Sequence, residues 1–375
     1  MSAAHQRALV SVTNDLATDN RVHRTCLALQ ELGYRVTLIG RRLPHSPPLE
    51  RPYTTRRMRL LFNKGPLFYA EYNLRLFLLL AFSRAALLVA NDLDTLPANW
   101  LARGRRKLVY DTHEFYTEVP ELVARAGVRR VWLAFERWIF PRLRTVITVN
   151  RSIADAYAAR YPQRKGAAIA VVRNIPLPRD LGPLPTRAEL GLPEGRPLLV
   201  LQGAGINVDR GGEEAVLAMR HLPGCLLLII GSGDAWPVLE QLVRTHGLQD
   251  RVRLLGRMPY ERMMAHTRHA ALGLTLDKDT NLNYRFSLPN KLFDYLRAGV
   301  PVVATDLPEV AAIVRQYDAG IVLPTPEPEG LARAITALLT DEQHLSRLRA
   351  NATFAGRDLD GVKELRTLVD VLQNA

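Results

Sequence analysis

Cysteine is scarce: only Cys26 and Cys225 occur in 375 residues. Two thiols cannot form a disulfide framework, and they suit a reducing compartment. Long apolar runs are also missing. The best candidate, 76–90, is short and is broken by Arg84, so no membrane span is expected. The opening residues, MSAAHQRALVSVTN, lack the apolar stretch of a signal peptide, which predicts a cytoplasmic protein. Zinc-finger spacing, an RNP-type aromatic motif and a recognition helix are absent too, so nucleic acid is not an expected partner. No short repeat or low-complexity segment is present.

What remains is an ordinary globular composition, 47% apolar and 23% charged, in a chain long enough for two domains. Its net charge of +13 is unevenly placed. Residues 1–180 hold 29 Lys and Arg against 14 Asp and Glu, a net of +15; residues 181–375 hold 21 against 23, a net of −2. A basic first half attracts polyanions. With nucleic acid set aside, an anionic membrane surface is the expected partner, at the inner face of the plasma membrane. An arginine-rich genome explains Arg in place of Lys, but not the difference between halves. The segment 69–88, with Leu74, Phe77, Leu78, Leu80 and Ala81 beside Arg75 and Arg84, reads either as a membrane-facing amphipathic helix or as a core helix.

Strands and helices alternate along both halves. Strands are expected over 8–13, 35–39, 86–90, 107–110, 145–149 and 168–172. A second series is expected over 198–202, 225–230, 252–255, 271–276, 302–305 and 320–323. Alternation of this kind implies parallel sheets covered on both faces. The stretch 174–197 is rich in Pro and Gly and reads as a linker. The expected domains are 1–178 and 179–355, with a last helix, 356–375, crossing back to the first.

The most telling segment, 287–309, reads SLPNKLFDYLRAGVPVVATDLPE. It follows a buried strand, opens a helix that stops at Gly299, and leads into the strand PVVAT. Ser287 is placed to cap the helix, and Pro289 fits near its start. The helix start offers unpaired N–H groups and a partial positive charge suited to phosphate. Lys291 adds a full charge. Asp294 shares its face at i+3 and could accept from ribose hydroxyls.

Ser287, Pro289, Lys291, Asp294 and Tyr295, followed by Ala298, Gly299, Pro301, Thr305 and Asp306, resemble the donor loop of retaining glycosyltransferases of family GT4. The likeness is to the subgroup spelled S-x-P-x-K-x-x-E/D-Y. It implies the GT-B fold: two doubly wound, Rossmann-like α/β domains facing a central cleft. The implied function is transfer of a sugar from a nucleotide-sugar donor to a glycan or lipid-linked acceptor, with retention, in surface polysaccharide or glycolipid synthesis. No cofactor is expected beyond the nucleotide sugar, whose base stays open. A sugar-nucleotide epimerase of the same architecture and a non-catalytic nucleotide-sugar-binding partner are the alternatives.

On the donor side the resemblance assigns Gly203 and Gly205 with Arg210, the turn Gly231 and Gly233, and the turn carrying Arg257 and Met258. It adds Ser287, Leu288, Pro289, Asn290, Lys291 and Asp294. Ala204 stands where relatives carry an Arg, and Phe286 where many carry the first Glu of E-x7-E. On the acceptor side, polar clusters follow three expected strands: Asp15, Asp19 and Arg21 with His23; Asp92 with Asp94; and Asp111, His113 and Glu114. The resemblance places a His like His113 against the transferred sugar, acting through a neutral ring. Asp15, Asp19, Arg21, Asp92 and Glu114 are expected to bind the acceptor, and Asp94 to serve structure. Lys291 and Arg210 would stabilise the departing diphosphate. Asp92-Leu93-Asp94 spells D-x-D but lies in the acceptor half, so no metal is expected. Closure about 174–197 would exclude water.

Overall fold

The computed structural model describes residues 6–17, 19–44 and 46–375. The chain divides into two compact units, Met1–Asn174 with Val362–Ala375, and Ile175–Gly361.

The first unit holds seven parallel strands: β1 (Arg7–Asp15), β2 (Arg35–Arg41), β3 (Thr54–Met58), β4 (Leu87–Asn91), β5 (Lys107–Thr112), β6 (Thr145–Thr148) and β7 (Ala170–Val171), in the order β3-β2-β1-β4-β5-β6-β7. The second holds six: β8 (Leu198–Gly203), β9 (Leu226–Gly231), β10 (Val252–Leu255), β11 (Leu272–Thr275), β12 (Val302–Thr305) and β13 (Gly320–Leu323), in the order β10-β9-β8-β11-β12-β13. Both are doubly wound, as expected. Each reverses direction once, between β1 and β4 and between β8 and β11.

The central strands form because their residues are apolar on both faces. LLVAN of β4 and LLLIIG of β9 are buried at every position. β3 was not anticipated. Its sequence, TTRRM, has no apolar run because it is an edge strand that pairs with β2, and only Met58 is buried. The Asn290–Arg297 helix ends as its sequence suggests. Gly299 takes φ +68, Gly299 N–H donates to the Leu296 carbonyl, and Val300 N–H to that of Tyr295.

Three boundaries differ from the expectations. The segment 69–88 is not one helix: a helix spans Gly65–Ala81 and β4 begins at Leu87. The linker 174–197 is not free chain. From Ile175 on it belongs to the second unit, where Ile175 and Leu192 enter the core and Arg297 donates to the carbonyls of Pro176 and Leu177. The helix Glu342–Asp358 also stays in the second unit, through Ala352 and Ala355. The chain returns at Val362, and the helix Gly361–Gln373 buries Leu368 and Leu372 in the first core.

Candidate functional site

Ligands of doubly wound sheets bind beyond the carboxyl ends of the strands, where the strand order reverses. In the second unit that point lies between the loop after β8 and the loop after β11. Lys278 N–H donates to the Asp209 carbonyl at 2.9 Å, which stitches the two loops together. Gly211, at φ +77, lies so close that a Cβ on it would sit 2.2 Å from Leu276 Cβ. Arg210 is thereby held beside Asp277. Its Nη1 is 3.2 Å from Asp277 Oδ1, and its guanidinium lies over the Tyr284 ring at 4.5 Å. Lys291, from the first turn of the next helix, places Nζ 3.2 Å from Asp277 Oδ2. Two cations expected from the sequence thus meet on a carboxylate that the sequence did not single out. Asp277 is 1% exposed. Burial lowers the Lys291 pKa, and Asp277 opposes that shift.

No side chain caps the Asn290–Arg297 helix, which corrects the role expected of Ser287. The Ser287 hydroxyl is buried and makes no hydrogen bond, as are the hydroxyls of Thr275 and Thr305 at the ends of β11 and β12. Pro289 stands at the cap position, Leu288 is in the core and Asn290 is exposed. Asp294 is not an open ribose acceptor. It is 5% exposed; Tyr260 Oη donates to one oxygen at 2.7 Å and Gln202 Nε2 to the other at 3.2 Å. Burial raises its pKa to about 6 against those bonds.

The glycines serve the close approach of loops. A Cβ on Gly231 would lie 2.0 Å from the Gly203 carbonyl oxygen, and one on Gly233 2.0 Å from that of Ile206. Gly203 and Gly205 are less tightly constrained. Arg257 ties the same loops from the side, donating to Ser232 Oγ at 2.6 Å and to the Ala204 carbonyl at 3.0 Å. Met258 packs against the core.

The first unit's reversal point is built of carboxylates. Asp92 follows β4 at φ +58, a left-handed conformation that Asp tolerates better than most residues. Its Oδ1 accepts from His113 N–H at 2.8 Å, and its Oδ2 lies 3.3 Å from His113 Nδ1. On the other side, Asp111 Oδ2 is 3.6 Å from His113 Nε2, too long for a hydrogen bond. Burial pulls the His113 pKa down, but the two carboxylates prevail and raise it to about 9. The expected neutral ring is therefore an imidazolium at neutral pH, a donor from both nitrogens. The reason is the second carboxylate, whose approach no local pattern reveals.

Arg21 also departs from its expected role. It was expected at the acceptor, yet it is 5% exposed and bound to Asp111 at 2.6 Å and to the Val172 carbonyl at 2.8 Å. Arg21 and His113 together hold Asp111 well below the usual carboxylate range despite its burial. Asp19 caps the Asn20–Glu31 helix, accepting from Val22 N–H at 3.0 Å. Asp15 pairs with Arg57 at 3.1 Å and accepts from Ser46. Glu114 is exposed. Asp94 is buried, and the Thr13 hydroxyl donates to it at 2.5 Å. Burial, with Asp92 nearby, raises its pKa to about 7.

A cavity of about 540 Å³ opens elsewhere in the first unit, lined by Arg129, Leu133, Arg137, Arg160, Tyr161 and Gln163; none of these belongs to the strand-end loops. Among the described residues, no group of three or more His, Cys, Asp or Glu is placed to hold a metal ion.

Known proteins resemble the chain over both units. The family described as "Glycosyl transferases group 1" matches residues 185–354, and "Glycosyltransferase Family 4" matches residues 19–175. An exopolysaccharide phosphotransferase from Streptomyces coelicolor is 32% identical over 163 residues, 40% of this chain but 17% of that protein. A D-inositol 3-phosphate glycosyltransferase from Xylanimonas cellulosilytica is 25% identical over 293 residues, 65% of this chain and 69% of its own length. Sucrose-phosphate synthase from Thermosynechococcus elongatus superposes with a TM-score of 0.80 at 20% identity, over 98% of both chains. HepE from Anabaena, solved with UDP and glucose, gives a TM-score of 0.70 at 18% identity, over 99% of this chain and 100% of its own. With both matched regions lying on doubly wound sheets, the chain belongs to the GT4-type glycosyltransferases and has the GT-B fold.

Proposed function

We propose that this chain transfers a sugar from a nucleoside-diphosphate sugar to a hydroxyl of a glycan or lipid-linked acceptor, with retention and without a metal ion. One observation carries the reading: Arg210 and Lys291 converge beside the uncapped start of the Asn290–Arg297 helix. Two guanidinium or ammonium charges and a helix dipole suit a diphosphate, both bound and departing. In the step, the bond from the anomeric carbon to the diphosphate oxygen breaks. The bond to the acceptor oxygen forms on the same face, and the acceptor's proton passes to the departing diphosphate. No carboxylate of the protein attacks the sugar.

His113 donates from Nε2 to a sugar or acceptor hydroxyl; charged, it cannot act as the base. Asp92 and Glu114 accept from acceptor hydroxyls. The exopolysaccharide relative and the UDP-and-glucose neighbour support this class of acceptor and donor. The test is a thermal-shift panel of UDP-, GDP-, ADP- and TDP-sugars without added metal, followed by NMR of the product anomer. A ligand at about a hundred times its dissociation constant should stabilise the fold by about 2.7 kcal/mol. Release of an epimerised nucleotide sugar without acceptor would instead establish an epimerase, and an inverted product would remove retention.

The site of action is proposed to be an anionic membrane surface. No helix among the described residues is long and apolar enough to cross a membrane. The Gly65–Ala81 helix is apolar on two faces. Phe68, Tyr72, Leu76 and Leu80 are buried, while Leu67, Leu74 and Leu78, followed by Phe82, are exposed at helical spacing. Leu61 and Phe62 are exposed beside them. The carboxylate of this stripe, Glu71, accepts from the N–H groups of Leu61 and Phe62 and pairs with Arg75 at 2.6 Å. Exposed Arg59, Lys64 and Arg84 flank the apolar side chains and supply the charge an anionic headgroup layer attracts. Cosedimentation with phosphatidylglycerol vesicles should fall with salt and with Leu74→Ser/Leu78→Ser. Binding indifferent to both would sink the idea.

A further inference from the structure

Asp277 is buried at the reversal point of the second sheet, and no sequence motif contains it. Its two oxygens are divided, Oδ1 to Arg210 and Oδ2 to Lys291, each at 3.2 Å. The arrangement is not a surface accident. Lys291 is 6% exposed, Asp277 is 1% exposed, and the loop bearing Arg210 is fixed by Gly211 on Leu276 and by the Lys278–Asp209 backbone bond. Without Asp277 two cations would face each other in a site from which water is largely excluded. Such a pair repels, and a lysine in it gives up its proton more readily.

We propose that Asp277 is a positioning residue of the donor site: a built-in anion that sets the spacing of Arg210 and Lys291 and keeps Lys291 charged until the donor's diphosphate shares both cations. This rests on the donor-site reading above. Asp277 and the diphosphate then compete for the same N–H donors, so removing the carboxylate has opposite effects at the two ends of the pH range. Where Lys291 is protonated regardless, loss of the competitor tightens donor binding. Where its charge depends on Asp277, the loss weakens it.

The charged groups facing Lys291 are Asp277 from the end of β11 and Arg210 from the loop after β8. The nearby Lys278 is paired with Asp209 and Glu214, with Glu213 beside them. Burial lowers the Lys291 pKa, Asp277 raises it, and Arg210 lowers it further. Removing Asp277 therefore moves the loss of positive charge toward neutral pH.

The experiment is calorimetric binding of UDP-glucose, GDP-mannose, ADP-glucose and TDP-glucose to the full chain, carrying forward whichever binds. Their diphosphate diesters keep both negative charges between about pH 5 and about pH 9, and parent and variant meet the same donor, so the difference between their profiles reports the protein. Asp277→Asn should bind as tightly as the parent or tighter at about pH 6, and about tenfold or more weakly at about pH 9, with its alkaline limb moved down by about one unit or more. Asp277→Glu, which restores charge on a longer arm, should return the limb to its parental position even if binding is weaker throughout. This variant also keeps the test open if Asp277→Asn folds poorly. A constant loss at every pH for Asp277→Asn, with Asp277→Glu no better, would reduce Asp277 to a packing residue. Lys291→Gln and Arg210→Gln separate the two readings. If both bind every donor as the parent does, the donor site itself is misplaced. If both fail while the Asp277→Asn profile parallels the parent's, the donor site stands and the role of Asp277 falls.

Discussion

The two units are built on the same strand order but invert each other's electrostatics. The first carries the chain's whole positive excess, yet its reversal point is crowded with carboxylates: Asp92, Asp94 and Asp111 around His113. The second is nearly neutral overall, yet two cations meet at its reversal point around one buried carboxylate. Net charge belongs to the surface and governs which large partners approach. Site charge belongs to a few buried groups and governs which small groups bind. Carboxylates suit the hydroxyls of an acceptor, and cations suit a diphosphate. Reading the first half's excess of arginine as a phosphate site would put the donor in the first unit, away from the proposed site at Arg210 and Lys291.

Several perturbations should break or sharpen that contrast. The largest falls on the buried ion pair of the first unit. Arg21→Gln leaves Asp111 buried beside His113 alone, and should cost about 3–5 kcal/mol of stability by chemical denaturation. A loss under about 1 kcal/mol would mean that the carboxylate cluster is held by something else.

Lys291→Gln or Arg210→Gln should lower turnover about 10²–10³-fold, because each removes a fixed charge from the departing diphosphate. Acceptor binding, measured separately, should not change. If it changes as much as donor binding, the two units do not divide the work as argued.

His113→Gln should lower turnover about a hundredfold and remove one alkaline transition from the rate profile. The folded pKa of His113, about 9, is raised above the ordinary 6.5. Its ion pairs therefore contribute stability in full below about pH 6.5, and that contribution is lost as pH rises through about 9. Thermal midpoints of parent and variant should converge as pH climbs through that window. Parallel curves would show that the imidazolium is not held by its two neighbours.

A smaller effect of opposite sign is expected at Asp94. Its folded pKa, about 7, is raised from 3.8, so ionising it costs stability as pH rises through about 7. Asp94→Asn keeps an acceptor for Thr13 and should raise the thermal midpoint most at about pH 8 and less at about pH 5, because the loss accrues between about pH 3.8 and about pH 7. A midpoint lowered more at about pH 8 than at about pH 5 would show that Asp94 is needed as a charge. The smallest effect should come from salt. Donor affinity should fall several-fold as ionic strength rises, whereas the affinity of an uncharged acceptor should stay level. Equal sensitivity would erase the contrast between the sites.

The legibility of the two sites differs for the same physical reasons. Lys291, Arg210 and the helix start were readable because they lie near one another in spelling or follow apolar strands. Asp277 was not, since its partners are Lys291 and Arg210 and nothing local marks a lone acid after a strand. Arg21 was read as open to a ligand because a helix start looks exposed in sequence. Its actual partner, Asp111, lies at the end of a strand two positions away in the sheet. The edge strand β3 was invisible because an edge needs no apolar run, and the Gly65–Ala81 helix hid its two apolar faces in one unbroken stretch.

The sequence by itself determined the alternation of strands and helices, the ends of most strands, a helix opening near Pro289 and the charge imbalance between halves. These follow from short-range periodicity and composition, which act over a few residues. Tertiary structure alone decided that His113 is charged, that Arg21 and Asp294 are already bound, and that Asp277 joins Arg210 to Lys291. Each of those depends on which distant groups share a water-poor space, because electrostatic interactions there depend on distance and burial and not on separation along the chain.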